Sequence, residues 1–131
     1  MSNSKSILRF NRFMIEETIF IRNNLQVNEC DLNFNIRSKV ILSKEKEKAE
    51  LWSTCTLFDE EFNNGRAPFY LKVTIAGYFE CRNFNKEDFK MNAMAIQLPY
   101  LRSFITSFTF RSGIHGVTIP PIDLVTFLKK S

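Results

Sequence analysis

The sequence predicts an α+β fold, a four-stranded antiparallel sheet covered on one face by helices. Two observations carry it. Four segments ahead of residue 83 alternate apolar and polar side chains with the period of two of a half-buried strand, and they follow one another without long crossovers. Helical spacing then takes over, and strands first with helices after is an α+β order. A chain of 131 residues buries about two-thirds of its unfolded surface, enough for one core, so a single domain spanning 1–131 is expected.

The elements run as follows. Residues 1–5 are polar and should fray. The first strand, 7–21, carries Phe10, Phe13, Met14, Ile15, Ile19, Phe20 and Ile21; its alternation breaks at Glu16-Glu17, where a bulge is expected, and Asn23-Asn24 is a turn signal. The second strand is the most regular. Leu32, Phe34, Ile36, Val40 and Leu42 lie on one face, with Asp31, Asn33, Asn35, Arg37 and Lys39 on the other. Residues 44–48, Lys-Glu-Lys-Glu-Lys, make the hairpin connection. The third strand, 49–58, turns Leu51, Cys55 and Leu57 one way and Trp52, Thr54, Thr56 and Phe58 the other. Residues 59–68, with Asn63-Asn64-Gly65, read as a turn. In the fourth strand Phe69, Leu71, Val73, Ile75, Phe79 and Cys81 alternate with Tyr70, Lys72, Thr74, Ala76, Tyr78 and Glu80; Gly77 interrupts the apolar face and predicts a bulge or close packing.

Asn85 followed by Asp88 is a cap with an acid in the first turn, predicting a helix over 89–96. Pro99 lacks the amide hydrogen that a helix interior needs, so it should open a second helix, 99–112. There Leu101, Ile105 and Phe108 form one stripe with Tyr100 and Phe104 beside it, and Gly113 is a natural stop. Pro120-Pro121 keeps the chain extended before a last partial turn over 122–130.

Composition narrows function by exclusion. The chain holds 14 phenylalanines, too many to assume all buried, so some are expected to line an exposed apolar surface. Its formal charge is +4, but opposite signs alternate in the 44–48 connection, which reads as a solvated turn rather than a phosphate-binding stripe. Cys30, Cys55 and Cys81 are odd in number and lack metal-ligand spacing; with no apolar run of membrane-spanning length, they predict a reduced, soluble cytoplasmic protein. The lone histidine, His115, sits in a glycine-flanked turn without a partner nucleophile. Gly113-Ile114-His115-Gly116 matches the G-x-x-G of single-strand-binding KH domains, yet strands precede it and prolines follow, so a turn is the better reading. No catalytic site, metal or cofactor is expected.

Leu98-Pro99-Tyr100-Leu101-Arg102, the glycine turn, the apolar run Val117-Thr118-Ile119 and Pro120-Pro121, together with Phe69-Tyr70-Leu71-Lys72-Val73-Thr74-Ile75, resemble the SecB family of export chaperones. The resemblance implies a dimer of dimers that binds unfolded polypeptides without ATP, for export or to protect an antitoxin. It places Phe69, Leu71, Val73, Ile75 and Tyr100 at the client groove. It also implies docking on a SecA-type motor through an acidic sheet surface, mapped to Glu17, Tyr70 and Lys72. Lys72 reverses the expected sign there, which predicts weak or absent docking. The alternative is a small nucleic-acid-binding module, supported by the basic balance and aromatic strands; an enzyme-like ligand scaffold lacks a catalytic constellation.

Overall fold

The computed structural model describes residues 7–23, 33–43 and 45–112. In chain order these form β1 (Ile7–Arg22), β2 (Phe34–Ser43), β3 (Lys48–Leu57), α1 (Asp59–Asn63), β4 (Phe69–Arg82) and α2 (Lys86–Arg111). The strands make one antiparallel sheet in the order β1-β4-β3-β2, so β1 and β2 are its edges. The register is fixed by cross-strand partners: Thr54 and Thr74 share a hydroxyl hydrogen bond of 2.9 Å, and the Cys81 amide donates to the Glu47 carbonyl at 2.8 Å. The expected α+β architecture is the one observed.

The chain divides into two compact units. One contains residues 1–13, 40–51 and 77–131. Among its described residues, α2 seals the sheet through Phe89, Ala93, Met94, Leu98, Leu101 and Ile105, against Leu51 and Phe79. The Asn85 cap forms as expected, its side-chain oxygen accepting from the Asp88 amide at 2.7 Å. Pro99, expected to open a second helix, instead lies inside one continuous 26-residue helix. The lost hydrogen bond and ring clash of an interior proline cost about 3 kcal/mol, and buried residues on both sides of it hold the helix in register against that cost. The stripe is also corrected: Leu101 and Ile105 are buried as expected, but the third position is Thr109 rather than the half-buried Phe108. Thr109 enters the core by donating its hydroxyl to the Ile105 carbonyl at 2.8 Å.

The other unit comprises residues 14–39 and 52–76. Its core holds Ile36, Cys55, Leu57, Phe69, Leu71, Val73 and Ile75, the inward residues that the period of two selects, together with Phe58, Ala67 and Ala76, which it does not. Two expectations fail here. Residues 59–63 form a short helix rather than a plain turn, and Phe58, expected on the outer face, is only 4% exposed. The cause is backbone geometry. Phe58 adopts φ 59°, which swings its ring inward onto Phe69 in an edge contact at 5.1 Å while its amide donates to the Asn33 carbonyl at 3.0 Å. Left-handed backbone is unfavourable for a bulky residue, and those contacts offset it. Gly65, at φ 70°, closes the turn after α1.

Burial along β1 changes phase between Phe10 and Phe13 and again before Thr18, the pattern an extra residue in a ladder leaves. His115, the G-x-x-G segment, Pro120-Pro121, Cys30, Asp31 and Leu32 lie outside the described residues.

Candidate functional site

The five residues that the resemblance places at a client groove divide by exposure. Leu71, Val73 and Ile75 are 0% exposed and Phe69 is 4% exposed, on the inward face of β4, where Phe69 packs against Phe20 at 5.8 Å. Tyr100 is 44% exposed on α2. Its ring lies 4.6 Å from Phe13 and 5.9 Å from Phe10, which themselves stack at 6.0 Å. A patch of three rings, half open to water, is the result.

This patch is fixed from beneath. Phe10 lies 5.5 Å from the buried Phe79, whose edge meets the buried Phe89 at 5.4 Å. A continuous series of rings therefore runs from solvent at Tyr100 into the core, and a surface residue so supported presents its face without first losing much side-chain freedom. Along α2, Phe104 and Phe108 follow Tyr100 at the helical repeat and stack at 5.8 Å, both half-buried. Phe110 is 74% exposed at the end of the helix, and Met91 is 41% exposed near its start. Sequence reasoning noted Tyr100 and Phe104 but missed Phe10 and Phe13 as partners. The signal was present: two phenylalanines three residues apart cannot share one face of a regular strand, and here the phase change brings both to Tyr100.

Of the three residues mapped to motor docking, two meet. Lys72 and Glu17 form an ion pair at 3.4 Å with both side chains well exposed, and Tyr70 lies 6.0 Å from Phe62 of α1. The glutamate is thus answered within the chain by the lysine. Elsewhere Arg9 pairs with Glu80 at 3.7 Å, Arg82 with Glu47 at 3.0 Å, and the Arg12 guanidinium sits 5.1 Å over the Tyr78 ring. An Asn33 hydrogen bond holds the Glu61 carboxyl below its usual range.

Burial pushes the Cys55 thiol up to about 12, and burial also raises Cys81, so neither supplies thiolate near neutral pH. Among the described residues no group of His, Cys, Asp and Glu could hold a metal ion, and no helix is long and apolar enough to cross a membrane. What the patch can do is bind: it offers flat apolar area backed by a rigid core.

No family model matches the chain. An uncharacterised protein of Methanocaldococcus jannaschii is 27% identical over 128 residues, spanning 92% of this chain and 81% of that protein. Among solved structures, a Mycobacterium tuberculosis SecB-like chaperone, described in complex with a peptide from the HigA1 antitoxin, matches with a TM-score of 0.70 at 10% identity, covering 88% of this chain and 91% of the other. A protein of unknown function from Streptococcus agalactiae matches at 0.47 and 10% identity over 92% of this chain and all of the other, a likeness on which nothing rests. The strand order, the long helix after β4 and the near-complete overlap with the mycobacterial protein lead to one conclusion: this chain has the fold of the SecB-like chaperones.

Proposed function

We propose that residues 1–131 form a SecB-like chaperone domain, a non-catalytic holdase that binds non-native polypeptide without nucleotide. The observation that carries this is the half-open ring patch of Tyr100, Phe10 and Phe13 on a rigid base. Large flat apolar groups at fixed positions supply much of the energy with which a surface captures an extended segment. In this reading Tyr100 touches the client directly. Phe69, Leu71, Val73 and Ile75 are proposed as the sheet floor of the client region, reached by a client in a conformation that uncovers them.

The mycobacterial relative in fold was captured with an antitoxin peptide, which favours antitoxin protection over export as the biological setting. The Lys72–Glu17 pair points the same way, since a lysine at the centre of the docking surface opposes an acidic-patch interaction with a SecA-type motor. Assembly as a cytoplasmic homotetramer, a dimer of dimers, belongs to the same proposal.

The test is suppression of aggregation of a chemically unfolded client, followed by light scattering without nucleotide. Wild-type protein should suppress it. Tyr100→Ala combined with Phe13→Ser should weaken client affinity by roughly 1–3 kcal/mol per ring lost while leaving the circular dichroism spectrum unchanged. Undiminished suppression by that variant would remove the patch from the client site.

A further inference from the structure

Phe79 is 1% exposed, so a polypeptide seated on the ring patch does not reach it. It nevertheless touches the patch from below. Its ring lies 5.5 Å from Phe10 at an interplanar angle of 55°, and the fully buried Phe89 meets it at 5.4 Å and 84°. The backbone at Gly77 confines it further, because a Cβ built there would come within 2.9 Å of the Phe79 Cε1 atom. The ring is therefore wedged between the core and the surface.

What it supports is an arrangement of ring planes. Phe10 lies 23° from Phe13 and 22° from Tyr100, and Phe13 lies 37° from Tyr100. Phe10 touches both other surface rings and also Phe79, which makes it the link between the patch and its base. Interiors pack as densely as organic crystals, so a ring displaced below is felt by the ring above. A smaller residue at position 79 frees Phe10 to sink or rotate into the space beneath. Re-ordering one freed side chain at each binding event weakens affinity roughly two- to tenfold.

We propose that Phe79 is the positioning residue of the ring patch: it sets the angle of Phe10 against Tyr100 and Phe13 without touching the client, from a seat that Gly77 leaves open. The proposal rests on the holdase reading and adds the buried residue on which the shape of the client surface depends.

The test pairs a binding titration with a measurement that needs no client. In the full chain with selectively labelled tyrosine, the three tyrosines are Tyr70, Tyr78 and Tyr100, and the Phe10 ring 5.9 Å from Tyr100 adds a ring-current shift to its NMR signal. Phe79→Leu should move the Tyr100 signal towards that of a solvated tyrosine. Tyr70, in the other unit, should keep its signal and so report that the variant is folded. A labelled Leu/Phe/Tyr-rich peptide, followed by fluorescence anisotropy, should bind Phe79→Leu roughly two- to tenfold more weakly than wild type. Phe10→Leu should weaken binding at least as much, and Phe79→Leu added to it should cost nothing further, because Phe79 acts through Phe10. Where Phe79→Leu does not fold, Phe79→Met, which fills the core but offers Phe10 no ring, replaces it in every comparison.

A folded variant at position 79 with wild-type affinity, or with an unmoved Tyr100 signal, overturns the proposal and leaves the holdase reading standing. Additive losses in the double variant overturn it as well, since they assign Phe79 a general effect on the core. If the wild type binds no peptide, the holdase reading falls, and the Tyr100 signal alone decides whether Phe79 sets the rings.

Discussion

Gln97 is the side chain on which the helix and sheet of its unit most closely agree. Buried on α2, its amide nitrogen donates to the Leu51 carbonyl at 3.0 Å. That position is open because the facing residue is Gly77: a Cβ built there would overlap the Gln97 amide oxygen and come within 2.9 Å of the Phe79 ring. The glycine's role is therefore close packing, one of the two readings its place in the strand allowed. Gly77→Ala should destabilise the protein by about 1–3 kcal/mol by overpacking, and Gln97→Ala by a similar amount through the stranded Leu51 carbonyl. In chemical denaturation the double variant should lose less than the two single losses added together, because removing the amide makes room for the methyl; strict additivity would show that the two sites are independent. The cysteines give a second residue-scale outcome. With its thiol pushed up to about 12 by burial, Cys55 should resist alkylation in the native state at neutral pH, while the half-buried Cys81 should be modified first. Mass-spectrometric mapping after a brief iodoacetamide pulse distinguishes them, and early labelling of Cys55 would contradict its enclosure.

At the scale of elements, the strands were legible because one physical cause, a sheet with one buried face, writes a period of two into the sequence. Leu51, Cys55 and Leu57, or Phe69, Leu71, Val73 and Ile75, needed no tertiary knowledge to be placed. The failures lie where non-local packing outweighed a local rule. Pro99 breaks a helix by its own chemistry, yet Leu98 and Leu101 are buried on either side of it and α2 runs on. Phe58 reads as the next outward strand residue until its backbone turns left-handed. The candidate site was half legible for the same reason: Tyr100 could be named from the sequence, whereas its contacts with Phe10 and Phe13 depend on a phase change within β1 to which only their spacing of three residues pointed. The proline leads to an element-scale prediction. Pro99→Ala restores an amide and removes a ring, so it should raise stability by about 1–3 kcal/mol in thermal or denaturant unfolding. An unchanged or lowered stability would mean that the proline fits a helix bend on which the flanking packing depends.

Across the whole chain, the two sheet edges are built differently, and that difference bears on assembly. β2 is 10 residues long and carries exposed Arg37 and Lys39, the kind of charged edge that discourages pairing with another strand. β1 is 16 residues long, contains no proline, and leaves Ile7, Met14, Ile15, Ile19 and Ile21 between 37% and 48% exposed. A long apolar edge is a template for strand addition, and a protein that keeps one without aggregating must cover it. In the proposed homotetramer, a second copy does so along β1. Lysines placed on this edge should therefore act on association before they act on folding. Light scattering coupled to size exclusion at micromolar concentration should give a multiple of the 15.4 kDa chain for the wild type and a smaller particle for Ile15→Lys combined with Ile19→Lys, with the strand content in circular dichroism retained. A wild type of monomeric mass would remove the assembly from the proposal, and an assembled double-lysine variant would show that copies meet through some other surface than β1.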